Sequence, residues 1–199
     1  MDHYFTIDTE GLAEYKDRGS KFLAYAYPLK SAEEFKKYLQ ALKKEHPKAV
    51  HYCFAYKIGF DGNNHRSSDD GEPAGTAGKQ ILGQIDSKNL TNILIVVVRY
   101  FGGTLLGVPG LIAAYKTAAS LVLQCTTIVQ KAVEINYALQ FDYTAMNDVM
   151  LILKQYNCTI YKNETQLFCN VKTGIPRNRL TEVLAALSNL QNVELQKIN

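Results

Sequence analysis

The alternation of apolar and polar residues along the first half of the chain predicts a mixed α/β arrangement. Residues 22–29 and 51–58 are rich in aromatic side chains and alternate, which is typical of strands. The apolar run at 93–98 is rich in β-branched residues and indicates a buried central strand. Residues 59–64 are interpreted as a turn-rich stretch, and the polar, glycine-containing segment that follows, through residue 78, as a long loop.

Capping and spacing signals predict two helices in this half. Ser31 and Glu34 have the spacing of a capping box, and apolar residues at helical spacing extend this helix to about residue 46. After Gly107, apolar and small residues recur at helical spacing, which predicts a second helix with a small-residue packing face. The first helix also carries lysines, interpreted as a solvated face: Lys36, Lys37, Lys43 and Lys44.

The pattern starts again near Ile128 and predicts a second domain. A long strand up to residue 143, a helix, two hairpin strands, a second helix and a final strand follow in the order βαββαβ. This order is that of the split-βαβ, ferredoxin-like fold. We therefore predict an α+β protein of two domains, residues 1–127 and residues 128–199.

Composition and charge restrict the function classes. The 199 residues are 47% hydrophobic and 21% charged, an ordinary globular composition that excludes a mainly disordered protein. The net charge is +3 and the pI is about 8.5, below the value of roughly 9 expected of a domain with a broad basic footprint for nucleic acid. Sequence-specific readout of DNA is therefore not expected, and any contact with RNA must come from a local patch.

Targeting signals and cysteines favour a cytoplasmic protein. The acidic start lacks the basic and apolar segments of a secretory signal, and the strongest apolar run is far shorter than the roughly 18 residues of a membrane-spanning helix. The four cysteines show neither C-x-x-C pairs nor zinc-type spacing, so we predict buried, reduced thiols at Cys53, Cys125, Cys158 and Cys169. No membrane contact, metal or cofactor is predicted.

Two polar, glycine-rich segments, 66–78 and 99–110, are the candidate functional surface. A long loop in a compact domain loses entropy on ordering and exposes backbone groups that need partners, so such loops commonly serve a function. The candidate binding residues are Arg66, Ser68, Asp69, Asp70, Glu72, Thr76, Lys79, Arg99, Tyr100, Gly102, Gly103 and Lys116. No catalytic residue is assigned.

Spacing tests the metal and phosphate motifs in the first of these segments. A P-loop fails at two of its required positions, and an EF-hand fails because its turn glycine is missing. Asp69, Asp70 and Glu72 could hold Mg²⁺ through a few oxygen ligands, and this alternative stays open.

Nucleophilic and anion-binding chemistry are two further alternatives. His51 and Cys53 form the obvious base and nucleophile, but no third group orients the imidazole, so we interpret them as a packed histidine and a core thiol. The glycines of segment 99–110 do not fit the dinucleotide spacing, yet the N–H groups of a strand-to-helix turn could bind an anion instead of packing tightly. The basic residues available to such a site are Arg66, Lys79, Arg99 and Lys116.

Taken together, these motifs resemble the IMPACT family, in particular its bacterial, YigZ-like members. The matching segments are Ser20-Lys-Phe-Leu-Ala24, His46-Pro-Lys-Ala-Val-His51, Ser68-Asp-Asp-Gly-Glu-Pro-Ala-Gly-Thr-Ala-Gly78, Arg99-Tyr-Phe-Gly-Gly103, Leu106-Gly107 and Ala114-Tyr115. They cover almost all of the first half, whereas the second half agrees only in its element order. The sequence departs from the family at Gln80, where proline is more frequent, and at Val108-Pro109, where small residues and glycine are usual.

The resemblance implies both a fold and a function. It implies a first domain similar to the fourth domain of elongation factor G, a ribosomal-protein-like βαβ fold, and a ferredoxin-like second domain. Because eukaryotic members are linked to the control of translation initiation, it implies a non-catalytic, RNA- or ribosome-associated regulator of translation. The alternatives are a protein-binding module and an enzyme acting on a phosphorylated or carboxylated small molecule; the enzyme would use Asp69, Asp70, Glu72, Arg66 and Arg99.

Overall fold

The computed structural model describes residues 2–198 and divides into two compact units. Residues 4–131 form the first unit, and residues 132–198 with residues 2–3 form the second. Both units combine antiparallel sheets with helices, so the chain is an α+β protein. Among the helices of residues 2–198, none has the length and apolar character needed to cross a membrane.

A five-stranded sheet with helices on both faces organises the first unit. The strands up to residue 132 are β1 (His3–Ile7), β2 (Gly11–Asp17), β3 (Ser20–Pro28), β4 (His51–Ile58), β5 (Asn64–Ser68), β6 (Ile93–Tyr100) and β7 (Ile128–Ala132). The helices are α1 (Ala32–Glu45), α2 (Gly78–Ser87) and α3 (Gly107–Gln124). The strand order in the large sheet is β2-β3-β6-β4-β5, and each neighbouring pair is antiparallel.

Each face of this sheet has its own hydrophobic core. Phe35 and Leu42 of α1 pack in the core of one face, while Ile81 of α2 and Tyr115 of α3 pack in the core of the other. The central strand β6 contributes to both cores, because residues 93–99 are all buried and alternate between the two faces. The predicted central strand is thus confirmed.

The start of α1 confirms one half of the capping box. The Ser31 hydroxyl accepts a hydrogen bond from the Glu34 amide at 3.4 Å. The Glu34 carboxylate, however, accepts from the Lys30 amide at 2.8 Å, one residue before the position that the motif predicts. The helix ends at Glu45, as expected from the sequence.

The segment that follows the turn at 59–64 is not a loop through residue 78, so that interpretation is wrong. It contains the edge strand β5, which pairs with β4, and it leads into α2, which begins at Gly78. All five residues of β5 are polar, and an edge strand without a buried face leaves no alternation to detect. The pattern also predicts neither β1 nor β2.

The second unit is a four-stranded antiparallel sheet packed against two helices. Its elements are β8 (Glu134–Phe141), α4 (Met146–Gln155), β9 (Thr159–Thr165), β10 (Cys169–Pro176), α5 (Leu180–Ser188) and β11 (Val193–Lys197). They follow one another as βαββαβ, in agreement with the predicted order, and the strand order in the sheet is β11-β8-β10-β9. Their core contains Phe141, Leu153 and Leu187.

Two predictions near the middle of the chain are wrong. The long strand expected from Ile128 is interrupted: β7 pairs with β1 in a separate two-stranded sheet, and β8 begins only at Glu134. The four cysteines are free, but Cys125, the residue after α3, is exposed and Cys158 is half-buried. Burial raises the pKa of the Cys158 thiol to about 11.

Candidate functional site

A buried ion pair between Arg99 and Glu72 lies at the end of β6. Antiparallel register places Phe22 and His51 directly opposite Arg99 on the two neighbouring strands. The guanidinium Nη1 donates to Glu72 Oε1 at 2.6 Å, and both side chains are at least 94% buried. The guanidinium also lies against the rings of Phe22 and Phe101, at 5.4 and 5.8 Å from their centroids.

A chain of polar contacts extends this ion pair into the core. The Tyr115 hydroxyl donates to Glu72 Oε1 at 2.7 Å, and the Cys53 thiol lies 3.2 Å from the Tyr115 oxygen. Burial raises the pKa of both Tyr115 and Cys53 above its ordinary value. Both groups therefore stay protonated at neutral pH, and the fully buried Cys53 acts as a core thiol and not as a nucleophile.

Ser20 connects Arg99 to the loop that follows β6. Its hydroxyl accepts from Arg99 Nη2 at 3.3 Å and from the Gly102 amide at 3.2 Å. A Cβ atom at Gly102 would overlap the backbone of Gly19 and Ser20, so only glycine permits this close approach. Gly103 has φ +83°, a backbone conformation that also favours glycine. The glycine pair thus serves packing, the alternative to anion binding.

Asp69 caps the N-terminus of α2. Its carboxylate accepts from the amides of Gly75, Ala77 and Gly78 at 2.8 to 2.9 Å. Burial acts to raise the pKa of Asp69, but these three hydrogen bonds together hold the pKa below its ordinary value. At α2, the protein's own carboxylate therefore occupies the helix terminus where an external anion could otherwise bind.

Asp70 fastens the same loop to the first residues of β4. Its carboxylate accepts from the Tyr52 amide at 2.7 Å, and its carbonyl accepts from His51 Nδ1 at 2.7 Å. Both contacts depend on a left-handed backbone, with φ +43° at Asp70 and φ +88° at Gly71. The hydrogen bond to the carbonyl fixes the proton on His51 Nδ1 and leaves Nε2 at 3.9 Å from Glu72 Oε1.

These contacts give the magnesium hypothesis no support. Asp69, Asp70 and Glu72 are adjacent in sequence, but each carboxylate is bound to a different set of protein donors. Within residues 2–198, no group of three or more His, Cys, Asp or Glu side chains is arranged to hold a metal ion. The three acids therefore stabilise the loop and the ion pair.

The remaining candidate residues do not converge on Arg99. The hydroxyl of Tyr100 lies 2.9 Å from His46 Nδ1 on the opposite face of the sheet, and Arg66 lies over the Phe54 ring on that same face. Lys79 on α2 and Lys116 on α3 are both exposed. The expected cluster of basic residues around one loop pair is thus not observed.

Two other candidates, Thr76 and Ser68, hold the loop together. The buried Thr76 hydroxyl donates to the Pro73 carbonyl at 2.7 Å. Ser68 Oγ accepts from the Asp70 amide at 3.2 Å. Both side chains therefore serve turns within the segment that carries Asp69 and Glu72.

A cleft of about 430 Å³ opens beside the ion pair. Its polar side chains are those of His51, Glu72 and Arg99, and the segment 105–108 at the start of α3 forms one wall. We call it the Arg99 cleft. Sequence reasoning did not include Ser20 or Tyr115 in this site, although both lie in the motifs that carry the family resemblance; their role depends on strand register and helix packing.

Comparison with known proteins gives consistent matches. The pattern of the Impact N-terminal domain matches residues 18–123. Over 179 residues the chain is 33% identical to IMPACT family member YigZ of Escherichia coli, covering 89% of this chain and 88% of that protein. It is 29% identical over 216 residues to IMPACT family member YvyE of Bacillus subtilis, covering 98% and 100%. A crystal structure of a hypothetical protein, 30% identical, matches with a TM-score of 0.76 and covers 100% of this chain and 98% of its own.

Proposed function

Because the chain belongs to the IMPACT family, we propose that it is a non-catalytic protein that binds RNA and takes part in the regulation of translation. The translational role is what the family resemblance implies, through the link of its eukaryotic members to the control of translation initiation. The RNA contact and the absence of catalysis are argued from the arrangement of side chains in this chain. The RNA that it binds would include ribosomal RNA, so association with the ribosome is part of the proposal.

The engagement of the motif carboxylates supports a non-catalytic role. A general acid or base needs a titratable group within reach of a substrate. Here Asp69 binds three backbone amides, Asp70 binds the Tyr52 amide, and Glu72 is 97% buried against Arg99 and Tyr115. The thiol of Cys53 has no exposed surface. The motif acts as a scaffold and not as a reaction centre.

The outer face of α1 carries the RNA proposal. Four lysines of this helix are exposed, and none forms a salt bridge with another residue of the described chain: Lys36, Lys37, Lys43 and Lys44. Lys43 also lies 5.4 Å from the centroid of the Tyr52 ring, which keeps its stem against the protein surface. Such ammonium groups make sequence-independent contacts with phosphates.

Binding of a single-stranded RNA oligonucleotide, measured by fluorescence anisotropy at several salt concentrations, tests this function. The wild-type affinity is expected to fall steeply with salt. In the variant with all four α1 lysines changed to alanine, the slope of the logarithm of the binding constant against the logarithm of the salt concentration should be less steep by up to about three. The matched control changes four exposed lysines of the second unit, Lys154, Lys162, Lys172 and Lys197. Absence of binding at about 50 mM salt, or equal loss in both variants, would contradict the proposal.

Finer assignments of fold and location belong to the same proposal. We assign the ferredoxin-like fold to the second unit, since its strand order and element order support it. For the first domain we propose the fold of the fourth domain of elongation factor G, with the domain boundary between residues 127 and 128. A cytoplasmic location and a protein partner in translation complete the proposal.

A further inference from the structure

The Arg99 cleft has no role in the RNA-binding proposal, yet it is shaped like a ligand site. Its volume of about 430 Å³ lies within the range of roughly 300 to 1,000 Å³ found for small-molecule pockets. Such pockets combine mainly apolar walls with a few convergent polar groups. The cleft follows this pattern, with mostly apolar lining residues around the polar His51, Glu72 and Arg99.

We propose that the Arg99 cleft binds a small apolar carboxylate. The carboxylate would lie between Arg99 and the N-terminus of α3, and the apolar group would cover the hydrophobic wall. Three independent observations carry this proposal.

The first observation is an incomplete set of hydrogen bonds on Arg99. Nη1 donates to Glu72 and Nη2 donates to Ser20, but the buried Nε has no acceptor among the residues that the structure describes. Buried donors without a partner are rare because each costs the free energy of its lost hydration. Arg99 also lines the cleft, so a ligand carboxylate bound there would lie beside the guanidinium that lacks this acceptor.

The second observation is the uncapped start of α3. This helix has 18 residues, the side chain of its N-cap residue Leu106 makes no capping hydrogen bond, and no acidic residue lies in its first turn. The contrast with the other long helices of the unit is clear, because Ser31 caps α1 and Asp69 caps α2. The Gly107 and Val108 positions line the cleft, so the partial positive charge of the helix terminus is available to an anion there.

The third observation is the exposure of large apolar side chains at the same cleft. Val50, Phe101, Leu105 and Val108 line it and are each about half exposed or more, and Leu105 is 82% exposed. A contiguous apolar rim of this kind marks a binding surface. Burial of this rim calls for an apolar group in the ligand, which a bare anion does not have.

The fixed charges of the cleft select a carboxylate over a phosphate. Arg99 and Glu72 neutralise each other, so the helix terminus supplies the remaining positive potential. A phosphate dianion would place two negative charges near the Glu72 carboxylate and against apolar walls. A single carboxylate needs only the donors that the cleft offers.

Isothermal titration and amide NMR spectra of the full chain test the proposal with matched probes: 3-phenylpropionate, the corresponding alcohol 3-phenylpropan-1-ol, and acetate. We expect saturable binding of 3-phenylpropionate, at least about tenfold tighter than either control, because the alcohol lacks the charge and acetate lacks the apolar group. The largest amide shifts should appear at Gly107 and Val108. Equal binding of the acid and the alcohol, or no saturation at about 10 mM, would overturn the proposal.

A variant at the cleft rim provides the second arm. Leu105→Asp introduces a negative charge at a strongly exposed position, so the fold should persist while 3-phenylpropionate binds at least about tenfold more weakly. The matched control is Leu167→Asp in the second unit, where the leucine is 88% exposed. This substitution should leave the binding of 3-phenylpropionate unchanged. Unchanged binding in Leu105→Asp, or equal weakening in both variants, contradicts the site.

Discussion

Glu72 is the acceptor on which the buried polar network depends. It receives hydrogen bonds from Arg99 and Tyr115, and both donors are buried. Glu72→Ala leaves a guanidinium without its counter-charge in the core, so we expect a loss of about 3–5 kcal/mol in the free energy of unfolding. Urea denaturation followed by circular dichroism measures this loss.

An exposed glutamate gives the matched comparison. Glu182 pairs with Arg179 on the surface of the second unit, where both side chains are at least half exposed. Glu182→Ala should cost no more than about 0.5 kcal/mol, because water solvates the remaining arginine. Similar losses in the two variants would show that burial of the Arg99 pair has no energetic consequence.

Two glycines of the first unit should respond to alanine in opposite directions. A Cβ at Gly102 would overlap the backbone of Gly19 and Ser20, whereas a Cβ at Gly83, in the exposed middle of α2, meets no atom within 4 Å. Gly102→Ala should therefore destabilise the protein by more than about 1 kcal/mol, and Gly83→Ala should stabilise it by about 0.5–1 kcal/mol. Thermal unfolding of the two variants beside the wild type measures both shifts, and a stabilised Gly102→Ala would contradict the close approach.

At the scale of single residues, the sequence indicates which residues belong to the site better than it indicates their hydrogen-bond partners. Arg99 and Glu72 are candidates because they are charged residues in glycine-rich segments, which commonly serve a function. Their pairing, however, spans 27 positions and depends on how the loop folds over β6. The spacing of Asp69, Asp70 and Glu72 suggests one metal site. The structure instead directs each carboxylate to a different donor, since a short loop with left-handed residues turns the side chains apart.

At the scale of elements, the N-terminus of α2 links stability to pH. The pKa of Asp69 is held below its ordinary value in the folded protein, so its contribution is fully present above the unfolded-state pKa of about 3.9. As the pH falls below about 4, the carboxyl group of the unfolded chain is protonated before that of the folded protein. The contribution to stability therefore decreases progressively, and it is absent below the folded-state pKa.

Asp69→Ala tests this contribution. The variant should lose about 1–2 kcal/mol at neutral pH, because the amides of Gly75, Ala77 and Gly78 lose their acceptor. Its stability should then decrease less than that of the wild type between about pH 4 and pH 2.5. Urea midpoints at several pH values measure both effects, and parallel pH profiles would exclude Asp69 as the titrating cap.

Most elements with several buried apolar residues are predicted in this chain. The strands β4 and β6 and the helices α1 and α3 follow their apolar patterns closely. In contrast, β5 is polar throughout, so hydrogen bonding to β4 and not burial defines it. Residues 128–132 are predicted as part of one long strand, but their separate pairing with β1 is not. Local sequence does not encode which neighbour a polar strand will find.

At the scale of the whole molecule, each unit has a hydrophobic core of its own. Both cores of the large sheet are built from residues within 7–123, and the core of the second unit lies within 137–195. The separation of cores matches the division of the chain by internal contacts. A unit with its own core is expected to fold without the other.

A fragment of residues 1–131 therefore should unfold in a single cooperative transition in urea. It contains every residue of the two cores that pack on the large sheet. A control fragment that ends at residue 104 lacks α3, and with it Leu111, Tyr115 and Val122 of one core; it should show no cooperative transition. Because Tyr115 also donates to Glu72, the shorter fragment leaves the Arg99 ion pair without its cover. If the longer fragment lacks a transition, the first unit depends on the second for its stability; if the shorter one retains it, the core assigned to α3 is wrong.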